Sequence, residues 1–591
     1  MYICTSLSSH VQCPQKLKYL YLRGSKKLAR LPNLRSAANL EQTCLMGCER
    51  LREIPSSIRF LHKLDYLNLY GCKKLRSLPS LFQLKNLRHL SLSFCINLKQ
   101  ISEIPSVIER LDLIECGMEE WSTAIQSLDN LEYLPISMCK NLRSLPRTLH
   151  FNLVEELDLS GCSNLNKFPN VTGHLKKLVL EETPIEELPS TIGCLPSLVD
   201  LQLGKCYKLE SLPDSICELK CLERLLLWGC SKLDRLPPLY GLCSLTDLYL
   251  DGTAVSEIPS DIVSLSSLRL LSLNSCKRLQ NLPELPEQTR VLRAFGCASL
   301  QTAKSPLSFA RVQTPNDWQW GNKYLFNYCN CLNLDHETLG SIMANARLRI
   351  EEMAIASNMS VLPEVSGGFL VGFPRSEVPE WFSYENLGSS MAFVLPPCCI
   401  NAMYLGFAFC VVLEFEVPLA MNKDDKLLLT CGCRLKNADG NEMLLQFVAP
   451  EIRHDSMHLD TVIQSDHVFL WHNHYYIESC LIQKYSDVNE LSIEFEFKAE
   501  HYGYTVGDAM QLNVVKLKVK RCGVHLMYTS KDEEYQCSPS IIQTKHSLHY
   551  AATDSDFMQE VIGTADTSKK RSSNQANIIA DGRSDKRMKE F

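Results

Sequence analysis

The sequence has no run of about 18 apolar residues, so it offers no membrane-spanning helix. Its opening, "MYICTSLSSHVQCPQ", is too polar for a signal peptide. It has no large excess of either charge: the net charge is −6 over 591 residues, which gives no footing for general nucleic-acid binding. There is no G-x-x-x-x-G-K-[ST] loop to cradle phosphates and no G-x-S-x-G or H-E-x-x-H. No enzyme class is signalled by motif, and no cofactor. Five histidines crowd one stretch (His454, His458, His467, His472 and His474) near Cys431 and Cys433, yet no C-x-x-C pair accompanies them. Ordinary loop and strand histidines are the expectation over a zinc site.

Cysteine, in contrast, is abundant, with 27 residues. An odd count does not suit a secreted disulfide framework. The cysteines follow a period. Aligned on L-x-x-L-x-L-x-x-C-x-x-L-x-x-L-P, units begin at Leu17, Leu40, Leu64, Leu87, Ile108, Leu131, Val154, Leu175, Leu198, Leu222, Leu245, Leu268 and Thr289, at intervals of 21 to 24 residues. Period and pattern resemble the leucine-rich repeat, a solenoid with one short strand per unit. Alternation turns the leucines of L-x-x-L-x-L inward and the x residues outward, and stacking gives a parallel concave sheet. At the cysteine position the thirteen units read Ser25, Cys48, Cys72, Cys95, Cys116, Cys139, Cys162, Thr183, Cys206, Cys230, Thr253, Cys276 and Cys297. Serine and threonine serve in three units, so neither disulfide nor metal is required. A small buried side chain able to hydrogen-bond the neighbouring turn meets the need, as free thiol in a reducing compartment. In "CELKC" (217–221), Cys217 is read as core and Cys221 as a surface thiol.

The period ends near residue 300. The divisions are a lead-in at 1–16, repeats at 17–300, a connector and helix at 301–364, a β-domain at 365–535, and a tail at 536–591 with the composition of a disordered segment. In "HETLGSIMANARLRIEEMAIAS" (336–357), Leu339, Ile342, Met343, Leu348, Ile350 and Met353 have helical spacing. Seven or eight β-like runs follow, as in an antiparallel sandwich. The short connector predicts that this domain packs on the last repeat and caps it. In the tail, "KKR" (569–571) and "DKRMK" (585–589) suit a bipartite nuclear signal, although such short runs are commonly solvated charge.

After the cysteine-type repeats come "FNYCNCLNLD", "VGFPRSEVPEWFSYENLGSSMAFVLP", "LGFAFCVVLEF" and "VKRCGVHLMY". The stretch with Gly372-Phe373-Pro374, Pro379-Glu380-Trp381-Phe382 and Gly388-Ser389-Ser390 is the most specific. That order resembles the C-terminal half of plant intracellular TIR–NB–LRR immune receptors over residues 17–535. The resemblance implies an α/β leucine-rich-repeat solenoid followed by a mainly β jelly-roll/Ig-like sandwich, the C-JID domain. It also implies a non-enzymatic part in plant defence. The family's NADase activity resides in its TIR domain, whose catalytic glutamate has no counterpart here. With a unit at Leu17 and no polar capping module before it, the expectation is a truncated gene product, a partial gene model, or a paralogue whose N-terminal end a partner covers.

The recognition surface is expected on the concave face. Tyr19, Tyr21, Tyr66, Tyr70, Tyr133, Trp228 and Tyr249 fall on or beside it. Glu156, Asp158, Glu181, Asp200, Asp247 and Asp251 make it acidic, interrupted by Arg23, Arg110, Lys177 and Arg224. Aromatic side chains supply contact area at low entropy cost. The candidate partner-binding residues are Tyr19, Tyr21, Tyr66, Tyr70, Tyr133, Arg224, Trp228, Tyr249 and Asp251. The expected partner is a protein: a pathogen effector or guarded host protein, with receptor chains of the same family as further candidates. The expected location is cytoplasmic, with nuclear entry if the tail is a signal. An adaptor or decoy, and an enzyme with a hidden β-domain site, are the alternatives.

Overall fold

The computed structural model describes residues 15–101, 103–122, 125, 128–304, 323–359, 368–395, 404–415, 419–421, 425–437, 440, 442–453, 461–463, 465–473, 491–505 and 511–528. All fall in the compact unit Met1–Ser540. Each unit contributes a strand of two or three residues, from Tyr19–Tyr21 in unit 1 to Val291–Arg293 in unit 13. Neighbouring strands pair parallel and in register: Leu67 faces Leu90, and Leu225 faces Leu248. From unit 2 onward the inward leucines are buried and form one continuous core, against which the partly buried Leu17 and Leu20 of unit 1 pack. The ladder breaks between units 5 and 6, where Pro135 has no N–H to give: units 1–5 form a five-stranded sheet, a single bridge from Arg110 to Tyr133 crosses the break, and a second sheet starts at unit 6. On the convex side, Ile-Pro or Leu-Pro leads into 3-10 turns such as Ser56–Phe60 and Asp214–Glu218, whose isoleucines, Ile58 and Ile216, are buried.

After each strand the chain must turn inward. The residue before the ladder cysteine takes positive φ in every unit, and its N–H reaches the carbonyl of the next unit: Gly71 to Ser93, Phe94 to Ile114, Met138 to Ser160. Glycine fits this turn without cost. Phe94, Glu115, Met138, Glu182, Lys205 and Ser275 occupy it at φ of 51–61°, at about 1–2 kcal/mol each. The ladder cysteine then points into the core and its Sγ donates backwards, Cys72 to the Leu45 carbonyl at 3.4 Å and Cys139 to Leu113 at 3.1 Å. The same Leu45 carbonyl accepts the N–H of Cys48, so both lone pairs are used. Thr183 and Thr253 instead bond their own unit's leucine carbonyl, at 2.7 and 2.8 Å. Every described cysteine is a free thiol. Burial pushes the Cys72 thiol up to about 12.

The parallel sheet runs on past residue 300. Lys323–Asn327 pairs parallel with Val291–Arg293, and Leu325 follows its partner Val291 by 34 residues. Cys331 donates to the Ala294 carbonyl at 2.9 Å, completing a fourteenth rung. Its convex side is helix α1, His336–Met359. Ile342 and Ile350 of α1 are buried, but Leu348 is 53% exposed, on the side away from the core.

Gly368–Pro374 then adds one more parallel strand and pairs antiparallel with His467–Asn473 on its other edge. The solenoid sheet and the first sheet of the β-domain are therefore one. That sheet continues through Tyr404–Glu414 and Gln511–Tyr528 to Tyr384–Leu387. The second sheet runs Ser390–Leu395, Leu491–Thr505, Lys426–Asn437, Glu442–Val448. Gln511–Tyr528 serves both, pairing with Leu491–Thr505 through its first half. Phe409 sits at the centre of the sandwich core, 4.9 Å from Phe447 and 5.4 Å from Trp471. Gly372 has no side chain because a Cβ there would lie 2.8 Å from the Phe469 ring.

One histidine ties the two parts together. His467 Nε2 accepts the N–H of Asn330, in the turn of unit 14, at 2.9 Å. Its Nδ1 therefore carries the proton and donates to the Ser465 carbonyl at 2.6 Å. Burial holds the ring neutral, lowering its pKa to about 4. His525 is likewise lowered to about 4, by burial and then by Arg347.

Two outcomes follow. Cys72→Ser should fold with little change, as Ser25 and Thr183 already serve in rungs. Cys72→Asp should lose on the order of a few kcal/mol, because its carboxylate has no cation in the core. Alkylation of the folded chain at pH 8, read by peptide mass spectrometry, should label exposed Cys194, Cys221 and Cys243 well before the ladder cysteines. Separately, His467 and His525 are depressed on folding, so the unfolded state binds more protons between about pH 4 and pH 6.5. Stability is full above that window and falls as pH drops through it, by about 1.4 kcal/mol per histidine per unit. Thermal melts at pH 7 and pH 5 should show the fall, and His467→Gln should reduce it. A melting temperature independent of pH would refute the assignment.

Candidate protein-binding surface

The outward positions of the parallel sheet divide into two zones. In units 1–6 they are mostly aromatic or polar, and range from half-buried to exposed except for the buried Ser91. Tyr19 and Tyr21 stack at 6.3 Å and are 49% and 58% exposed, and the Tyr21 hydroxyl donates to Gln42. Tyr66 is half-buried, 6.4 Å from the His89 ring, and its hydroxyl accepts from Asn68. Tyr70 is half-buried against Phe94, with centroids 4.9 Å apart. Tyr133 is 43% exposed beneath the Arg110 guanidinium, 4.1 Å from its centroid, while Arg110 also pairs with Asp112. These rings are held by neighbours yet reachable, which lowers the entropy cost of using them as anchors.

From unit 7 onward the face is charged and then covered. Lys177 pairs with Glu156 at 2.6 Å. Arg224 is exposed but binds the buried Asp200 carboxylate. Trp228 is half-buried and lies flat on Gly204, where any Cβ would come within 2.4 Å of the indole. Its N–H reaches Glu181, whose carboxyl is raised by burial and lowered by that bond. Tyr249 is half-buried against the core of the β-domain. Asp251 is not an open contact: it is buried, and accepts from Ser272 Oγ at 2.8 Å and the Asn274 N–H at 3.2 Å. It holds up the turn of its neighbour.

Outward residues Leu270, Val291 and Leu325 of units 12–14 are buried in one core with Leu427, Ile452, Ile463 and Phe469 of the β-domain. A cavity of about 20 Å³ between Arg293, Asn327, Leu427 and Phe469 has room for roughly one water and not for a ligand. The covered zone had a signal in the sequence: the outward x position changes from charged or aromatic to Leu, Val and Leu at residues 270, 291 and 325.

The specific motif of the β-domain has a structural task. The rings of Trp381 and Phe382 lie 4.2 Å apart, and Trp381 meets His525 edge-on at 5.2 Å. Arg347 of α1 sits 5.6 Å over Trp381. Ser383 Oγ is 2.8 Å from His525 Nδ1. The motif thus clasps α1 to the sandwich. Among the described residues no group of three or more His, Cys, Asp or Glu could hold a metal. His467 and His472 are buried, each with an Nδ1 contact to a backbone carbonyl; His454, His458, His474 and the two basic clusters of the tail lie outside the described residues. Cys221 is exposed; Cys217 is half-exposed, its sulfur 3.8 Å from the Tyr240 hydroxyl. No described helix is long and apolar enough to cross a membrane.

Comparison with known proteins agrees with this architecture. The C-JID domain family matches residues 373–533. The chain is 30% identical to the disease resistance-like protein DSC1 of Arabidopsis thaliana over 88% of its own length and 42% of that protein. It is 31% identical to the disease resistance protein RPS4B of the same plant, over 69% of this chain and 35% of that one. It therefore spans well under half the length of these relatives. Among solved structures, the leucine-rich repeat domain of the type III effector XopL aligns with a TM-score of 0.27 and 24% identity, over 38% of this chain and 72% of that one. Over most of its length, repeats and C-JID domain together, the chain is similar to the C-terminal part of plant TIR–NB–LRR disease resistance proteins.

Proposed function

We propose that this chain is the ligand-sensing part of a plant immune receptor. It recognises a pathogen effector or a guarded host protein in the cytoplasm, as a binding module and not as an enzyme. One observation carries the reading: the concave aromatic residues of units 1–6 stay open and braced, while the equivalent positions of units 12–14 are sealed by the C-JID domain. Loops of the C-JID domain complete the surface from the other end. The disease-resistance relatives support the coarse role; the ligand's identity is the proposal.

The choice of test follows from the geometry. Cutting the chain at residue 300 would bare Leu270 and Val291, so a truncated chain reports on folding as much as on binding. Trp228 fills the space over Gly204 and Tyr249 packs against the core that holds Leu270 and Val291, so truncating them also disturbs packing. Tyr66→Ala with Tyr133→Ala is the cleaner variant, with Lys232→Ala, whose ammonium pairs with Glu210 on the far side of the cysteine turn, as control. Against a cognate effector found by interaction screening, calorimetric titration should show the tyrosine pair losing on the order of 2 kcal/mol, roughly thirtyfold. Wild-type affinity in that variant, with folding verified by circular dichroism, would remove units 3–6 from the contact.

A further inference from the structure

The rim where the concave face meets the cysteine turns carries two features that the fold does not ask for. The first is strain. Every rim turn adopts positive φ, and units 1–3 meet that with Gly24, Gly47 and Gly71. Units 4, 5 and 6 instead place Phe94, Glu115 and Met138 there in succession. Elsewhere such residues are tied into the fold: Lys205 pairs with Glu182, Ser275 is buried, and Asn330 bonds His467. Met138 leans over Gly161 but remains 42% exposed. With Tyr70 of unit 3 and Ile114 of unit 5, Phe94 and Met138 form an apolar ridge along the rim.

The second feature is charge. Residues 15–100 contain 17 Lys and Arg against 4 Asp and Glu, although the whole chain is at −6. Just past the rim turns, Lys27, Arg50 and Lys74 recur at one position of successive units and Arg52 and Arg76 at another. The backbones at the second position are joined directly, Arg76 N–H to the Arg52 carbonyl at 3.3 Å. All five are exposed and make no ion pair among the described residues, while their neighbours Lys26 and Arg30 pair with Glu49 and Glu53.

We propose that this rim of units 1–6 docks an acidic, apolar segment of a protein partner, the apolar side chains on the Tyr70–Met138 ridge and the carboxylates on the cation columns. The inference rests on the recognition reading above and adds a subsite outside the concave strands. A protein segment suits the site better than nucleic acid or a lipid surface. The cations cover only three or four units at roughly 5 Å each. Beyond them the columns stop, and Lys176 and Lys177 are already paired with Glu155 and Glu156, so no run of unpaired cations continues for a long polyanion.

The test is selection of a random twelve-residue displayed peptide library on the full chain. Enriched peptides should combine Asp or Glu with aliphatic or aromatic residues. They should bind at least tenfold more weakly to a Lys74→Glu/Arg76→Glu variant and to Met138→Gly. Met138→Gly should melt at or above the wild-type temperature, since glycine relieves the turn. No enrichment, peptides without acids, or affinities unchanged in both variants would overturn the proposal. So would a clear drop in melting temperature for Met138→Gly, which would make the side chain a packing element over Gly161. Peptides that ignore the rim variants but are lost with Tyr66→Ala/Tyr133→Ala would leave concave recognition standing and remove the rim alone. Oligothymidine and phosphatidylserine vesicles serve as parallel probes; rim-dependent binding of either, tighter than the peptides, would overturn the choice of a protein partner.

Discussion

The structure depends on one lateral exchange repeated at most of its rungs. A left-handed turn hands its N–H forward to the next unit, and a thiol hands its hydrogen back to the previous leucine carbonyl. No single bond is strong: a thiol is a weak donor, and the net worth of a protein hydrogen bond is about 1 kcal/mol. Their weight lies in what they prevent. The turn buries two backbone polar groups per unit in a leucine core, and each would be costly if orphaned. The exchange satisfies them with a side chain small enough not to push the units apart. It also explains why glycine and cysteine stand side by side in "YGC", "SGC" and "WGC".

The repeats were legible because their physics is local in sequence. Thirteen starts, the small-residue rung and the strand alternation could all be read from spacing. The fourteenth rung was not, because Leu325 lies 34 residues beyond Val291 and the regular spacing is lost. "FNYCNCLNLD" nevertheless carries the rung's own spacing, with Phe326, Tyr328, Cys331 and Leu334 in place of Leu292, Ala294, Cys297 and Leu300. In the β-domain the strands could be seen but not their order. Pairings such as His467–Asn473 with Gly368–Pro374 join residues about a hundred apart, and periodicity carries no information on such partners. Leu348 shows the same limit on a smaller scale: helical spacing places a residue on a face without saying which faces are covered.

The candidate surface was half legible. That Tyr19, Tyr21, Tyr66 and Tyr133 stand on the concave side followed from alternation alone. Whether a concave residue is reachable depends on what folds back over it, and that is set by the β-domain. Asp251 and Tyr249 illustrate the difference. Both obey the alternation rule, yet one supports a neighbouring turn and the other packs on the sandwich. Trp228 is intermediate, its ring accommodated by the missing side chain of Gly204 in the preceding unit of the stack.

Because Gly368–Pro374 belongs at once to the stack and to the sandwich, the C-JID domain sets the phase of the whole coil. A unit deleted or duplicated in the middle leaves both ends chemically intact, since each rung bonds only its neighbours. It nevertheless rotates and displaces everything N-terminal to it relative to the sandwich. Changes in repeat number therefore act as a vernier: they re-aim the outward residues of the N-terminal units relative to the sandwich without altering any of them.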